Sequence, residues 1–172
     1  MTIKKQMTKT FVENAFTGES KAHMRYMLFA ERAEEDGLPN IARLFRAIAY
    51  AELVHARNHF RSLGGLNDTP QNLQHAADGE TFEVEEMYAV YKQAAKFQGE
   101  QQAETFAHYA LEAEKIHAEF YDQANKYAKQ GTDMDLKTLY ICPVCGYTVE
   151  GTAPDFCPVC GAPRKRFTAF EP

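Results

Sequence analysis

Two Glu-x-x-His motifs are the residues best placed to do chemistry. Glu52 and His55 stand three apart, as do Glu114 and His117. Three residues along an α-helix return to nearly the same face. In both motifs that face is apolar. Phe45, Ile48, Ala49 and Ala56 flank the first, and Phe106, Ala110, Ala113, Tyr121 and Ala124 flank the second. An ionised carboxylate in a core stripe is costly unless something neutralises it. One such motif is usually a surface accident. Two on inward stripes of two long helices call for a shared explanation, and a pair of metal ions supplies it.

Further carboxylates join the set. Glu19 lies on a stripe with Val12, Ala15, Ala22, Tyr26, Ala30 and Ala33. Glu83 and Glu86 lie on another with Val90, Ala94 and Phe97. Each half of the chain therefore reads as a lone Glu followed by Glu-x-x-His. Glu83 breaks the repeat, having no counterpart at Ala15 or Phe16. One Glu from each of two helices, with Glu-x-x-His from each of two more, is the donor pattern of carboxylate-bridged dimetal sites in four-helix bundles. Iron or manganese suits mixed carboxylate and imidazole donors. The candidate ligands are Glu19, Glu52, His55, Glu83, Glu86, Glu114 and His117. His23, His59, His75 and His108 read as surface or structural histidines, with His23 and His59 near enough to serve as outer partners. Tyr26 and Tyr91 are core aromatics or hydrogen-bond partners of a ligand carboxylate.

A second constellation closes the chain. All four cysteines fall near the C-terminus, as Cys142-Pro143-Val144-Cys145-Gly146 and Cys157-Pro158-Val159-Cys160-Gly161. Near-identical Cys-x-x-Cys knuckles read as one tetrahedral thiolate site. The spacing leaves zinc and a single iron both open. A dimetal bundle upstream favours an iron that cycles by one electron.

The elements that carry these residues are long helices. The period predicts helix over Thr8 to Asp36, with Thr8 or Thr10 as cap, and again from Pro39 or Asn40 to Leu63. A third is expected over Glu80 to Phe97 and a fourth over Glu100 to Lys129. Gly65 to Gly79 reads as a longer connection with a helix-start signal at Asn67-Asp68-Thr69-Pro70 and room for a short helical piece around Gln71 to Ala77. The expected architecture is an all-α four-helix bundle of the ferritin-like kind, with one long crossover, over residues 1–135. A small metal-stabilised β and loop domain follows over 136–172, too short to build a core unaided.

The 172 residues carry a formal charge of −5, with no basic run, which argues against a nucleic-acid partner. No segment approaches the roughly 20 apolar residues that span a bilayer, so no membrane is expected. The polar N-terminus shows no signal peptide, and the cytoplasm is the expected location.

These motifs resemble the rubrerythrins, in which a ferritin-like diiron bundle precedes a rubredoxin-like domain. The resemblance covers nearly the whole chain. The 11 residues between Cys145 and Cys157 match the family's shortened knuckle spacing. Phe82-Glu83-Val84-Glu85-Glu86-Met87-Tyr88 looks like its third helix, where an additional Glu precedes the usual ligand by three. The resemblance implies that Glu52 and Glu114 bridge two irons. Glu19 would be terminal to one, and Glu86 with His117 to the other. Glu83 would ligate the first iron when oxidised, with His55 replacing it on reduction. These two are the candidate catalytic residues. Cys142, Cys145, Cys157 and Cys160 would hold a rubredoxin-type iron, with zinc as a possible substitute.

The implied activity is reduction of hydrogen peroxide to water. Electrons would come from an NAD(P)H-dependent reductase or a rubredoxin. The implied assembly is a homodimer or higher homo-oligomer, in which the rubredoxin-like domain of one subunit approaches the diiron site of another. Two other functions use the same residues: a ferroxidase or iron-handling protein, and a metal buffer with a zinc knuckle. A dedicated electron port at the cysteines favours turnover over both.

Overall fold

The structure is a computed structural model describing residues 3–172. The chain condenses into two units, one ending at Asn67 and the other running from Asp68 to Pro172.

The first unit is a helical hairpin, α1 (Gln6–Glu35) and α2 (Pro39–Ser62). Helix α1 starts two residues before the expected caps. Its N-cap position, Lys5, makes no side-chain capping bond. Pro39 opens α2, where a missing N–H costs nothing. The buried residues of the hairpin are alanines: Ala22, Ala30 and Ala33 on α1, and Ala42, Ala49 and Ala56 on α2. Small side chains let the helices approach closely. Phe16 then meets Phe60, and Phe29 and Tyr26 meet Phe45, at ring-centroid distances of 5.3, 5.6 and 6.3 Å. His23 Nδ1 lies 2.8 Å from the Ala49 carbonyl oxygen, which accounts for this histidine structurally.

The second unit opens with α3 (Thr69–Phe82). Asp68 caps it, its carboxylate accepting the Gln71 N–H at 2.9 Å. Most of the expected crossover is therefore helix, and only residues 63–68 lie outside one. Helix α3 runs into a π turn, Glu83–Met87, and on into α4 (Tyr88–Gln98). Gly99, in the left-handed conformation at φ 75°, ends this run, and α5 (Gln101–Lys129) packs back along it.

The C-terminal module adds a three-stranded antiparallel sheet, order β2-β1-β3, from β1 (Leu139–Ile141), β2 (Thr148–Glu150) and β3 (Thr168–Phe170). Tyr140 pairs with Val149 on one side and Ala169 on the other. Its core is Cys142, Cys145, Cys157 and Ala162, with Tyr147, Val159 and Phe167 packed around them.

Candidate metal centres

In the first unit, Glu19 of α1 converges with Glu52 and His55 of α2, their ligand atoms all within 4.8 Å of one another. Glu52 Oε2 lies 3.2 Å from His55 Nδ1, and Glu19 Oε1 lies 3.9 Å from it. A hydrogen bond joins the two carboxyl groups. It raises the pKa of Glu19 and lowers that of Glu52. His55 is half exposed.

In the second unit the converging residues are Glu80, Glu114 and His117. Glu114 Oε2 approaches His117 Nδ1 to 2.6 Å. Burial pushes the Glu80 carboxyl up to about 7, reinforced by its hydrogen bond to Glu114 and by the charges of Glu114 and Glu83. Glu83 is raised as well, by burial and then by Glu114, with His117 opposing. Both line an open cleft of about 510 Å³ with His75, Ala76, Gly79, Glu114 and His117. Burial and the nearby Glu83 raise the Tyr88 phenol.

Glu86 is exposed and belongs to neither cluster. Glu80 stands where Glu86 was expected. The π turn is the cause. It holds one residue more than an α turn. A face extrapolated at α-helical period through residues 83–87 therefore goes astray. Pi turns of this kind are frequent at functional sites.

Each cluster sets two carboxyl groups and an imidazole with their ligand atoms within 4.8 Å of one another. A divalent cation supplies the counter-charge that such crowded carboxylates lack, so the donors fit a metal on chemical grounds.

The four cysteines are unpaired as disulfides and converge within the same 4.8 Å limit. The Cys142–Cys160 and Cys145–Cys157 sulfur separations are 3.5 and 3.4 Å. A tetrahedron of thiolates at ~2.3 Å from a metal has edges of ~3.8 Å, so the cage needs only slight expansion. The knuckles are mirror copies in their backbone bonds. Gly146 N–H donates to the Cys142 carbonyl and Gly161 N–H to that of Cys157, both at 2.9 Å. Both glycines take positive φ, 80° and 76°, which a side chain would strain. Burial disfavours the Cys142 thiolate, but the Val144 and Cys145 N–H groups overcome it and lower the pKa. Burial raises Cys145 and Cys160.

The module packs on α5 of its own chain. Tyr109 covers the cysteine core, and a Cβ on Gly146 would sit 3.4 Å from that of Ala113. His117, one turn beyond Ala113, reaches Thr148 of β2. Small residues at Ala113 and Gly146 permit this close approach within the chain.

Two carboxylate and imidazole clusters on helices, with a thiolate cage docked beside one of them, define a ferritin-like diiron protein with a rubredoxin-like module. The comparisons narrow this to a family. The Rubrerythrin family model matches residues 10–125, and that for the rubrerythrin rubredoxin-like domain matches residues 140–168. Rubrerythrin-2 of Clostridium acetobutylicum is 44% identical, over 99% of this chain and 100% of its own. Rubrerythrin of Nitratidesulfovibrio vulgaris is 34% identical, over 96% and 95%. Among solved structures, partially reduced nigerythrin matches at a TM-score of 0.55 and 32% identity, over 95% of this chain and 86% of that one. The chain belongs to the rubrerythrin family. Its cofactors are accordingly a diiron centre and an iron held by four cysteines, and its class is that of diiron oxidoreductases of oxidative-stress defence.

Proposed function

We propose that the chain is a non-haem diiron peroxidase reducing hydrogen peroxide to water. Electrons enter through the four-cysteine iron from an NAD(P)H-dependent reductase or a rubredoxin. The observation that carries this reading is the docking of the thiolate module on α5, the helix that holds Glu114 and His117. Iron storage has no need of a one-electron port at that position.

When bound, the diiron centre supplies two electrons to peroxide, and the thiolate iron returns them singly. The chain's own residues do the rest. Glu52 and Glu114 would serve as the bridging carboxylates. Glu19 and Glu80 serve as terminal ones, Glu80 taking the role expected of Glu86. The parallel supports this, since each is hydrogen-bonded to the Glu of a Glu-x-x-His motif.

Glu83 and His55 would be alternative ligands of the same metal. His55 is free to swing: among the described residues its ring faces only Glu52 and, at longer range, Glu19. His117 is tied at both nitrogens. A carboxylate at Glu83 matches the higher metal charge, and a neutral imidazole at His55 the lower. Tyr88 lies near enough to Glu83 for the carboxylate's charge to act on its phenol.

The functional division is residues 1–135 for the diiron ligands and 136–172 for the thiolate iron, in a cytoplasmic homodimer or larger homo-oligomer. Exposed Phe11, Met24, Leu28, Leu44 and Ile48 on the first hairpin support a second copy.

Metal analysis with stopped-flow mixing tests the reading. The iron-loaded, reduced protein should be oxidised faster by peroxide than by oxygen, and should bleach and recover its ferric-thiolate colour in turnover. Faster oxidation by oxygen points to a ferroxidase. A colourless protein with one tightly held zinc per chain sinks the electron port.

A further inference from the structure

Thr148 is a buried polar residue of the thiolate module, 5% exposed, with two hydrogen-bond contacts. Its Oγ1 donates to the Gly146 carbonyl at 3.0 Å. It also lies 2.9 Å from Nε2 of His117. A hydroxyl has one proton to give. With that proton committed to Gly146, Thr148 must accept from His117, so the imidazole carries its proton on Nε2. Nδ1 then presents a lone pair toward Glu114 Oε2, 2.6 Å away. Two lone pairs that close repel unless a proton or a metal ion lies between them, and it is the metal that this tautomer suits.

We propose that Thr148 is a positioning residue for His117. Its hydroxyl fixes the tautomer that turns Nδ1 to the bundle metal, and it links that ligand to the knuckle of the thiolate iron. This rests on the proposed electron route and deepens it. Thr148 completes a short bridge: Cys145 to Gly146 through the backbone, Gly146 carbonyl to the Thr148 hydroxyl, and Thr148 to the His117 ring. One electron leaves the ferrous thiolate site, which becomes ferric. It arrives at a ferric ion of the bundle, which becomes ferrous. No proton is transferred along this bridge, and His117 keeps its Nε2 proton throughout. A histidine ligand that donates its second ring N–H to a fixed acceptor is held in orientation, and losing such partners weakens metal sites markedly. Here the acceptor belongs to the electron-donating module, so module docking and ligand orientation are one contact.

The test compares Thr148→Val, which keeps shape and removes the hydroxyl, with Thr148→Ser, which restores it. In zinc-loaded, ¹⁵N-labelled protein, wild type and Thr148→Ser should show a slowly exchanging His117 Nε2–H. Thr148→Val should lose it, or fail to retain zinc in the bundle. In iron-loaded protein, the thiolate iron is reduced photochemically and its re-oxidation by the diferric bundle is followed by colour. That step should slow roughly 10-fold in Thr148→Val and recover in Thr148→Ser. A Thr148→Val protein equal to wild type in ring N–H exchange overturns the positioning role. An unchanged re-oxidation rate overturns the link. Peroxide takes no part in either measurement. Failure of the peroxidase reading would instead show as a wild-type bundle inert to peroxide with this electron step intact.

Discussion

Glu80 allows a pH prediction in the metal-free protein. Its carboxyl titrates at about 7, against an ordinary 4.5, chiefly through burial and then through its bond to Glu114. A carboxyl raised in the fold binds its proton better folded than unfolded. Between pH 4.5 and about 7 the folded state therefore carries the excess proton, and its stability falls as pH rises through that window. The penalty is absent below the window and complete above it. Taken whole, the shift corresponds to ~3.4 kcal/mol at ~1.36 kcal/mol per unit. Glu80 is only partly buried and coupled to its neighbours, so solvent screening reduces this to about 1 kcal/mol. Glu80→Gln keeps the size and a hydrogen bond and removes the titration. Urea unfolding of chelator-treated protein at pH 5, 6, 7 and 8 gives the assay. The variant should gain about 1 kcal/mol on wild type between pH 5 and 8. Parallel curves, or a wild type that gains with pH, would refute the reasoning. Metal should invert the trend, because binding must expel that proton and so strengthens as pH rises toward 7.

Three more outcomes are expected. Glu80→Ala should lose metal from the second half-site, while Glu86→Ala keeps full metal content; equal losses would return Glu86 to the ligand set. Glu83→Ala should slow peroxide turnover at least tenfold (an order-of-magnitude figure from the cost of disturbing metal-site partners) with a smaller loss of metal, and a full peroxidase rate would end the exchange role of Glu83 and His55. Cys157→Ser should abolish reductase-driven turnover yet leave a chemically reduced bundle reactive with peroxide, so unchanged coupled turnover contradicts the electron route.

Much of the site was legible because ligands leave a chemical trace in sequence. A Glu-x-x-His on an apolar stripe is expensive without a metal, and paired Cys-x-x-Cys knuckles have few other uses. The structure brings together Glu19, Glu52 and His55, and separately Glu114 and His117, and the four cysteines. What escaped was Glu80, for two connected reasons. Polar residues and Gly79 made 71–79 read as a connection with at most a short helical piece, so Glu80 looked like a helix end. Asp68 caps a helix there instead. The face beyond was then projected at 3.6 residues per turn through a π turn.

A signal was present nonetheless. Gly18-Glu19-Ser20 and Gly79-Glu80-Thr81 are cognate triplets. Glu52 follows Glu19 by 33 positions, and Glu114 follows Glu80 by 34. Tyr26 and Tyr88 lie 7 and 8 positions beyond those glutamates, which places the extra residue between Glu80 and Tyr88, where the π turn is found. The Thr148 contact had no such trace, because it joins residues 31 apart through a fold that periodicity does not describe.

The π turn at Glu83–Met87 also bears on how this protein could be engineered. A π turn is a less favourable arrangement than the α-helix on either side of it. Removing one residue, such as Val84, would let the run from Thr69 to Gln98 close into one uninterrupted α-helix. Selection for heat resistance alone would welcome that deletion, and a design protocol that idealises backbones would make it. The cost would fall on the residues beyond the turn, Tyr88 among them, whose faces would rotate by about 100° relative to Glu80 and Glu83. Stability and turnover thus pull in opposite directions at one residue position. A thermostable variant of this chain should be sought anywhere else along its helices.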